Sequence, residues 1–488
     1  MRSRTLWCVT SLALLAGCTV GPNYQPPGGQ APVKWATPLA AGESAAPAAL
    51  ASWWQSFKDP ELDALISTAV RSNLTLRVAE ERVREARAER DVVAGGRRPS
   101  AGASVAYSRN RYGANSFPPL SLFSEIPLDY DLYSAGFDAA WELDLFGGVR
   151  RAVEASNAEV GAAQYAWRDV LVSVLAEVAR NYIDARAYQE RLAITRQNVA
   201  AQQSIVELTR SRYRGGLASD LDVEQATAFL TATQAQLPAL ESGFAQSVHD
   251  LAVLLGENPG ALLDRMSRAT PIPLTPPVVP VGLPSGLLQR RPDVQRAERE
   301  LAASTAEIGV AEADLFPKFS LMGALGITST STSNLLEYAS RYWAAGPTIQ
   351  WNLFQGGSLR ANVRVQRARA AQALDTYRQT VLVALEDAEN ALVAYAKEQT
   401  RRRSLAQSVR SSEAAFHLSS DLYRSGLVDF LNVLDAERTL YAAQDALVGS
   451  TATVSLDLVQ LYKALGGGWQ QQSGPALALD RNRVAFRR

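Results

Sequence analysis

The chain has 488 residues, enough for two or three domains, and its 49 basic side chains balance 49 acidic ones. That balance leaves no net field to draw it to nucleic acid or to an acidic surface, so its partners are to be recognised by shape. Leader cleavage and acylation would consume its two cysteines, Cys8 and Cys18, which excludes a disulfide, a cysteine metal site and thiol redox chemistry.

Arg2 and Arg4 precede an apolar run from Leu6 to Leu15, a positive start and a core too short to span a bilayer, so residues 1–17 read as a signal peptide. The run ends in Leu15-Ala16-Gly17-Cys18, which looks like a bacterial lipoprotein box and makes Cys18 the expected lipid acceptor. Thr19, rather than Asp, follows it and points to the outer membrane. Residues 18–58 are rich in Pro, Ala and Gly and read as a tether or wrapping segment. After Asp59-Pro60, the residues Leu62, Leu65, Ile66, Ala69, Leu74, Leu76, Ala79 and Val83 recur at helical spacing, which predicts helix as far as Gly95-Gly96.

A second period follows. In residues 135–146, Phe137, Ala139, Trp141, Leu143 and Leu145 alternate with Asp138, Glu142 and Asp144, and residues 101–110 alternate more weakly through Val105 and Tyr107. Residues 318–328 alternate through Phe319, Leu321, Leu325 and Ile327, and residues 342–354 through Trp343, Ala345, Pro347, Ile349, Trp351 and Leu353. Four strands of about ten residues each suit tilted passage of a bilayer, with Trp141, Trp343 and Trp351 where interfacial girdles lie. Only closed barrels survive in lipid and the smallest have about eight strands, so several chains must share one barrel.

Proline-free stretches from Val149 to Tyr213 and from Leu359 to Tyr423 predict two helices of about 65 residues, roughly 100 Å each at 1.5 Å per residue. Each turns at a glycine-containing tip and returns, giving antiparallel hairpins over 149–255 and 358–465, with Pro238 breaking the first return helix where the second copy has Val448. The chain therefore says everything twice. Tyr213-Arg214-Gly215-Gly216-Leu217 with Leu221, Val223 and Ala226 returns as Tyr423-Arg424-Ser425-Gly426-Leu427 with Leu431, Val433 and Ala436, and Ala79 to Pro99 maps onto Ala297 to Pro317. So long a period is no short solenoid; it gives repeats over 59–288 and 289–466 and leaves 467–488 as a C-terminal equatorial tail.

These stretches, with Gly21-Pro22-Asn23-Tyr24, Trp53-Trp54, Trp141-Glu142-Leu143-Asp144-Leu145-Phe146-Gly147 and Leu288-Gln289-Arg290-Arg291-Pro292-Asp293-Val294 through Ala297-Glu298, resemble the outer membrane factors of tripartite efflux systems. The match is to the TolC-like family, in its OprM/NodT lipoprotein branch, and it covers nearly the whole chain in order. The resemblance implies an α+β membrane protein of a Gram-negative outer membrane. It would be a homotrimeric 12-stranded β-barrel with four strands per chain, continued by a long periplasmic α-helical barrel and girdled by an equatorial collar. Three chains of four strands agree with the even strand numbers of such barrels, and dimers giving eight would leave no duct.

It further implies an exit channel for substrates, partnered by a periplasmic adaptor and an inner membrane pump of the resistance-nodulation-division type, with palmitate on Cys18 and no other cofactor. The hairpin tips, Tyr213, Arg214, Gly215, Gly216, Leu217, Tyr423, Arg424, Ser425, Gly426 and Leu427, would meet the adaptor. The Leu, Asp and Arg of the OprM-like constriction fall on Leu431, Asp435 and Arg438, one helix face on which Arg438 is a candidate partner for Asp435. The first copy has Leu221 and Gln225 there, leaving one ring of carboxylates. An enzyme finds no support. His249 and His417 lack metal-ligand neighbours, and no P-loop, dinucleotide fingerprint or nucleophile elbow occurs. A periplasmic coiled-coil lipoprotein acting as scaffold or adaptor is the alternative, with the four amphipathic strands against it.

Overall fold

The computed structural model describes residues 19–28, 31–39, 42–46, 50–113 and 129–470, so the signal peptide, Cys18 and residues 471–488 lie outside the described residues. The chain divides into two compact units. One holds residues up to Pro27, Arg84–Ala162 and Ala297–Tyr377, and the other Gly28–Val83, Ala163–Arg296 and from Arg378 onward.

The first unit carries an antiparallel sheet of β1 (Ser100–Arg111), β2 (Asp129–Leu143), β3 (Lys318–Ser329) and β4 (Arg341–Gln350), in that spatial order. Pairing of Phe137 with Ala103 and Leu325, of Trp141 with Leu321, and of Leu325 with Trp343 puts the odd-numbered residues of every strand on one face. Three strand ends differ from expectation, and β2 begins at Asp129, six residues before the expected 135. β2 stops at Leu143, not 146, because Asp144 leaves the ladder to cap the following helix, accepting from Val149 N at 3.2 Å and Arg150 N at 2.8 Å. β4 stops at Gln350, so Trp351 and Leu353 lie past it, and Trp351 Nε1 donates to Leu315 O at 3.1 Å. Trp141 Nε1 donates in the same way to Arg97 O at 3.1 Å, so the repeated sequence makes a repeated contact.

Two helices of 67 residues leave the sheet, α3 (Gly148–Arg214) and α7 (Ser358–Arg424), beginning 210 positions apart (358 against 148). Each is roughly 100 Å long at 1.5 Å per residue. The expected single helix before β1 is two, α1 (Pro60–Ser72) and α2 (Leu74–Gly95). Asn73 breaks it: buried, it caps α2 by accepting from Leu76 N at 2.8 Å and donates to Leu254 O at 2.8 Å. Asp59 caps α1 by accepting from Glu61 N and Leu62 N, with Pro60 opening the first turn.

In the second unit, α3 returns through α4 (Asp220–Gln234) and α5 (Leu237–Leu254), parted just before Pro238 because a proline has no N–H and its ring clashes with the preceding turn. The second return helix, α8 (Phe430–Ala464), runs unbroken past its buried Val448. The outgoing helix of one copy packs beside the return helix of the other. Arg191 is bidentate to Asp445 at 2.7 and 3.1 Å, Asn198 bonds Gln444 at 3.1 Å, and Thr195 meets Tyr441 at 3.4 Å. In the Arg-Pro-Asp motif that opens α6 (Pro292–Ala313), the Arg291 guanidinium binds Asp293 at 2.6 Å and Asp387 of α7 at 3.0 Å and reaches Ala464 O at the end of α8 at 3.3 Å. The segment after residue 30 wraps: Trp35 is buried with Nε1 donating to Gly282 O at 2.9 Å, and Glu43–Ser44 pairs in parallel with Val279–Pro280.

Candidate functional site

One face of the sheet is apolar and has no cover. The odd-numbered residues include Val105, Phe137, Trp141, Leu321, Leu325, Trp343 and Ile349, all exposed, with Trp343 at 80%. The even-numbered ones are mostly small or polar, Ser104, Asp138, Glu142, Ser320, Ala324, Thr348 and Gln350 among them, with Tyr130, Leu132, Met322 and Tyr342 as larger exceptions. Among the described residues, β1 pairs only with β2 and β4 only with β3, so each keeps one edge of unpaired backbone groups. An apolar face bounded by open edges is stable in neither water nor lipid until further strands close it. Among the described residues, no helix is long and apolar enough to cross a membrane.

The hairpin tips repeat bond for bond. Gly215 N, Gly216 N and Leu217 N donate to Ser211 O, Tyr213 O and Arg212 O, and Ser425 N, Gly426 N and Leu427 N to Asp421 O, Tyr423 O and Leu422 O. Gly216 and Gly426 adopt φ of 71° and 75°, the left-handed turn that ends each helix. Side chains break the symmetry. Tyr213 is exposed, whereas Tyr423 is 4% exposed and has Phe430 5.8 Å away, so Tyr423 is not offered to a partner as expected from its sequence. The cause is Arg212 of the first hairpin, stacked 4.4 Å over the Tyr423 ring and donating to Tyr423 O at 2.7 Å. The other nine tip residues are all exposed, Leu217 and Leu427 among them.

Leu431, Asp435 and Arg438 sit one above another on α8, all exposed, with Leu221 matching Leu431 in the first copy. The expected pairing of Asp435 with Arg438 does not form among the described residues; Arg438 instead lies 5.2 Å over the ring of Phe229 on α4. A longer reach to an aromatic face replaces an exposed ion pair that contributes only up to about 1 kcal/mol. Beneath these residues Val206, Ala226, Tyr423, Phe430, Val433 and Leu434 form a buried cluster with Phe229 and Phe416 at its margin. Glu437, one turn beyond Val433 and 4% exposed, carries an Oε1 without a hydrogen-bond partner. Burial pushes its carboxyl up to about 7. Sequence reasoning missed Arg212, Phe229 and Glu437, since their parts depend on contacts between the two copies.

The chain matches the family profile described as "Outer membrane efflux protein" over residues 65–257 and 283–467. It is 31% identical over 473 residues to Nodulation protein T of Rhizobium leguminosarum bv. viciae, covering 96% of this chain and 94% of that one. It is 33% identical over 470 residues to the pyoverdine export outer membrane protein OpmQ of Pseudomonas aeruginosa, covering 96% and 98%. Among solved structures, the outer-membrane channel OprN aligns with a TM-score of 0.86 at 39% identity, over 93% of this chain and 100% of that chain. CusC aligns at 0.80 with 26% identity, over 92% and 100%. With matching repeats, a strand layer built for lipid and paired helical hairpins, the chain belongs to the outer membrane efflux protein family, as a channel and not an enzyme.

Proposed function

We propose that the chain is anchored by palmitate on Cys18 and closes its duct with Leu431, Asp435 and Arg438, while its exposed hairpin tips receive a periplasmic adaptor bound to an inner membrane pump of the resistance-nodulation-division type. The channel itself is the exit duct of a tripartite efflux system. Three chains supply four strands each to one barrel, and long helices continue it. The observation that carries this reading is the apolar strand face with two open edges, which a periplasmic scaffold has no use for. We divide the chain as a signal segment over 1–17, an anchor segment over 18–58, repeats over 59–288 and 289–466 and a tail over 467–488.

In the gate, three-fold symmetry places three Asp435 carboxylates about one axis, where like charges repel. The stack of Arg438 on Phe229 supports closure by tying the gate helix to the first copy's return helix. Leu431→Ala with Asp435→Ala opens that mouth, whereas Gln225→Ala changes little. Planar bilayer recordings test it: the double variant raises single-channel conductance over the parent. Unchanged conductance with trimer formation intact removes these residues from the gate.

A further inference from the structure

The residues that follow Cys18 occupy a seat in the strand-bearing unit. Val20 N donates to Phe146 O at 3.1 Å. Arg151, in the first turn of α3 and 3% exposed, gives Nε to Val20 O at 3.0 Å and Nη2 to Gly21 O at 3.1 Å and Asn23 Oδ1 at 2.8 Å, while Nη1 holds Glu154 at 2.8 Å. A buried guanidinium is tolerated only when its donors are used, and here three go to one short segment. Glycines make the fit. At Gly21, with φ of 87°, a Cβ would stand 2.4 Å from Gly309 Cα, and at Gly309 one would stand 2.8 Å from Arg151 Cγ. Thr19 lies on Gly147, where a Cβ would meet Thr19 Cγ2 at 2.8 Å. Farther along, Tyr24 donates to Glu298 at 2.7 Å.

The seat lies where the strands end. Gly147 comes four residues after the last residue of β2, and Phe146 stacks 4.6 Å from Phe316, which precedes β3. Thr19 directly follows Cys18 in sequence, so the seat begins one residue after the attachment point.

We propose that Arg151 is a positioning residue for the N-terminal anchor, fixing the point at the helix-side rim of the strand layer from which a chain attached at residue 18 enters the bilayer. This rests on the reading of Cys18 as the lipid acceptor, and its test separates the two. A spin label on Pro22→Cys, an exposed position, reports the seat in phospholipid vesicles, and palmitate incorporation reports the lipid. With Arg151 present the label is immobilised. Arg151→Gln loses the immobilised spectral component, and Arg151→Lys loses most of it, since a compact ammonium cannot reproduce the planar fork that spans the three acceptors. Asn23→Ala, which leaves the guanidinium in place, and Gly309→Ala, whose Cβ crowds the Arg151 side chain without removing its charge, each loosen the label in part and decide the matter if Arg151→Gln does not assemble. An immobilised label in assembled Arg151→Gln, or in both milder variants, overturns the proposal. Palmitate missing from the parent instead refutes lipidation, whatever the line shape.

Discussion

Glu437 gives the sharpest energetic prediction. Its carboxyl is shifted from 4.5 to about 7 by burial alone, with Oε1 unpartnered beside the cluster that supports the gate helix. A carboxyl raised on folding acts opposite to a paired one. Below its ordinary value both folded and unfolded forms hold the proton and nothing is lost; stability falls as pH rises from 4.5 through about 7, and the whole penalty applies above that. At 1.36 kcal/mol per unit the loss approaches about 3 kcal/mol per chain, on the order of a hundred-fold in a local opening equilibrium. Glu437→Gln keeps the shape and removes the titration. Hydrogen exchange of α8 residues 430–441, corrected for intrinsic rates, reads the opening between pH 5 and 8.5. Protection in the parent declines over that range while the Gln variant stays level. Asp457, farther along α8 and pushed up to about 6 by burial, is the control, and Asp457→Asn leaves the slope at residues 430–441 in place. An equal slope in parent and Glu437→Gln refutes the assignment of the buried carboxyl.

Three more outcomes follow from the same contacts. Leu143→Arg puts a charge on the apolar strand face at a cost of up to about 4 kcal/mol near the midplane and less toward the interface, and it reduces assembled trimer on gels; Glu142→Gln, on the polar face, leaves assembly intact. Arg291→Ala abandons Asp293 and Asp387 partly buried, so thermal unfolding of the detergent-solubilised channel shifts down, with a cost of about 3 kcal/mol. Arg212→Ala uncovers Tyr423, and the gained reactivity of a cysteine placed at Ser420 measures the loosened tip.

The fold was legible where the chain repeats a period. Alternation at two residues showed the strands because one side of each faces apolar surroundings, and 210-residue spacing showed the hairpins because both copies turn on a left-handed glycine. What escaped depends on partners distant in sequence. Asn73 reads as one more polar helix residue until its side chain finds Leu254 O, and Asp144 continues the strand alternation until it caps α3. Tyr423 and Tyr213 occupy matching places in the repeated motif, yet Arg212 covers only one of them. Glu437, between Ala436 and Arg438, looks solvated in sequence; only the packing of α8 shows that its side of the helix is the buried one.

The central claim is that the open edges of β1 and β4 meet between chains. Cysteine at Ser104 in β1, combined in turn with cysteine at Ala344, Gly346 or Thr348 in β4, tests it on a mature chain whose Cys18 is replaced by Ser. The account predicts that oxidation at one register yields a ladder ending at a covalent trimer, with β4 of each chain joined to β1 of the next. Monomer alone at every register, or a ladder ending at dimer, contradicts it.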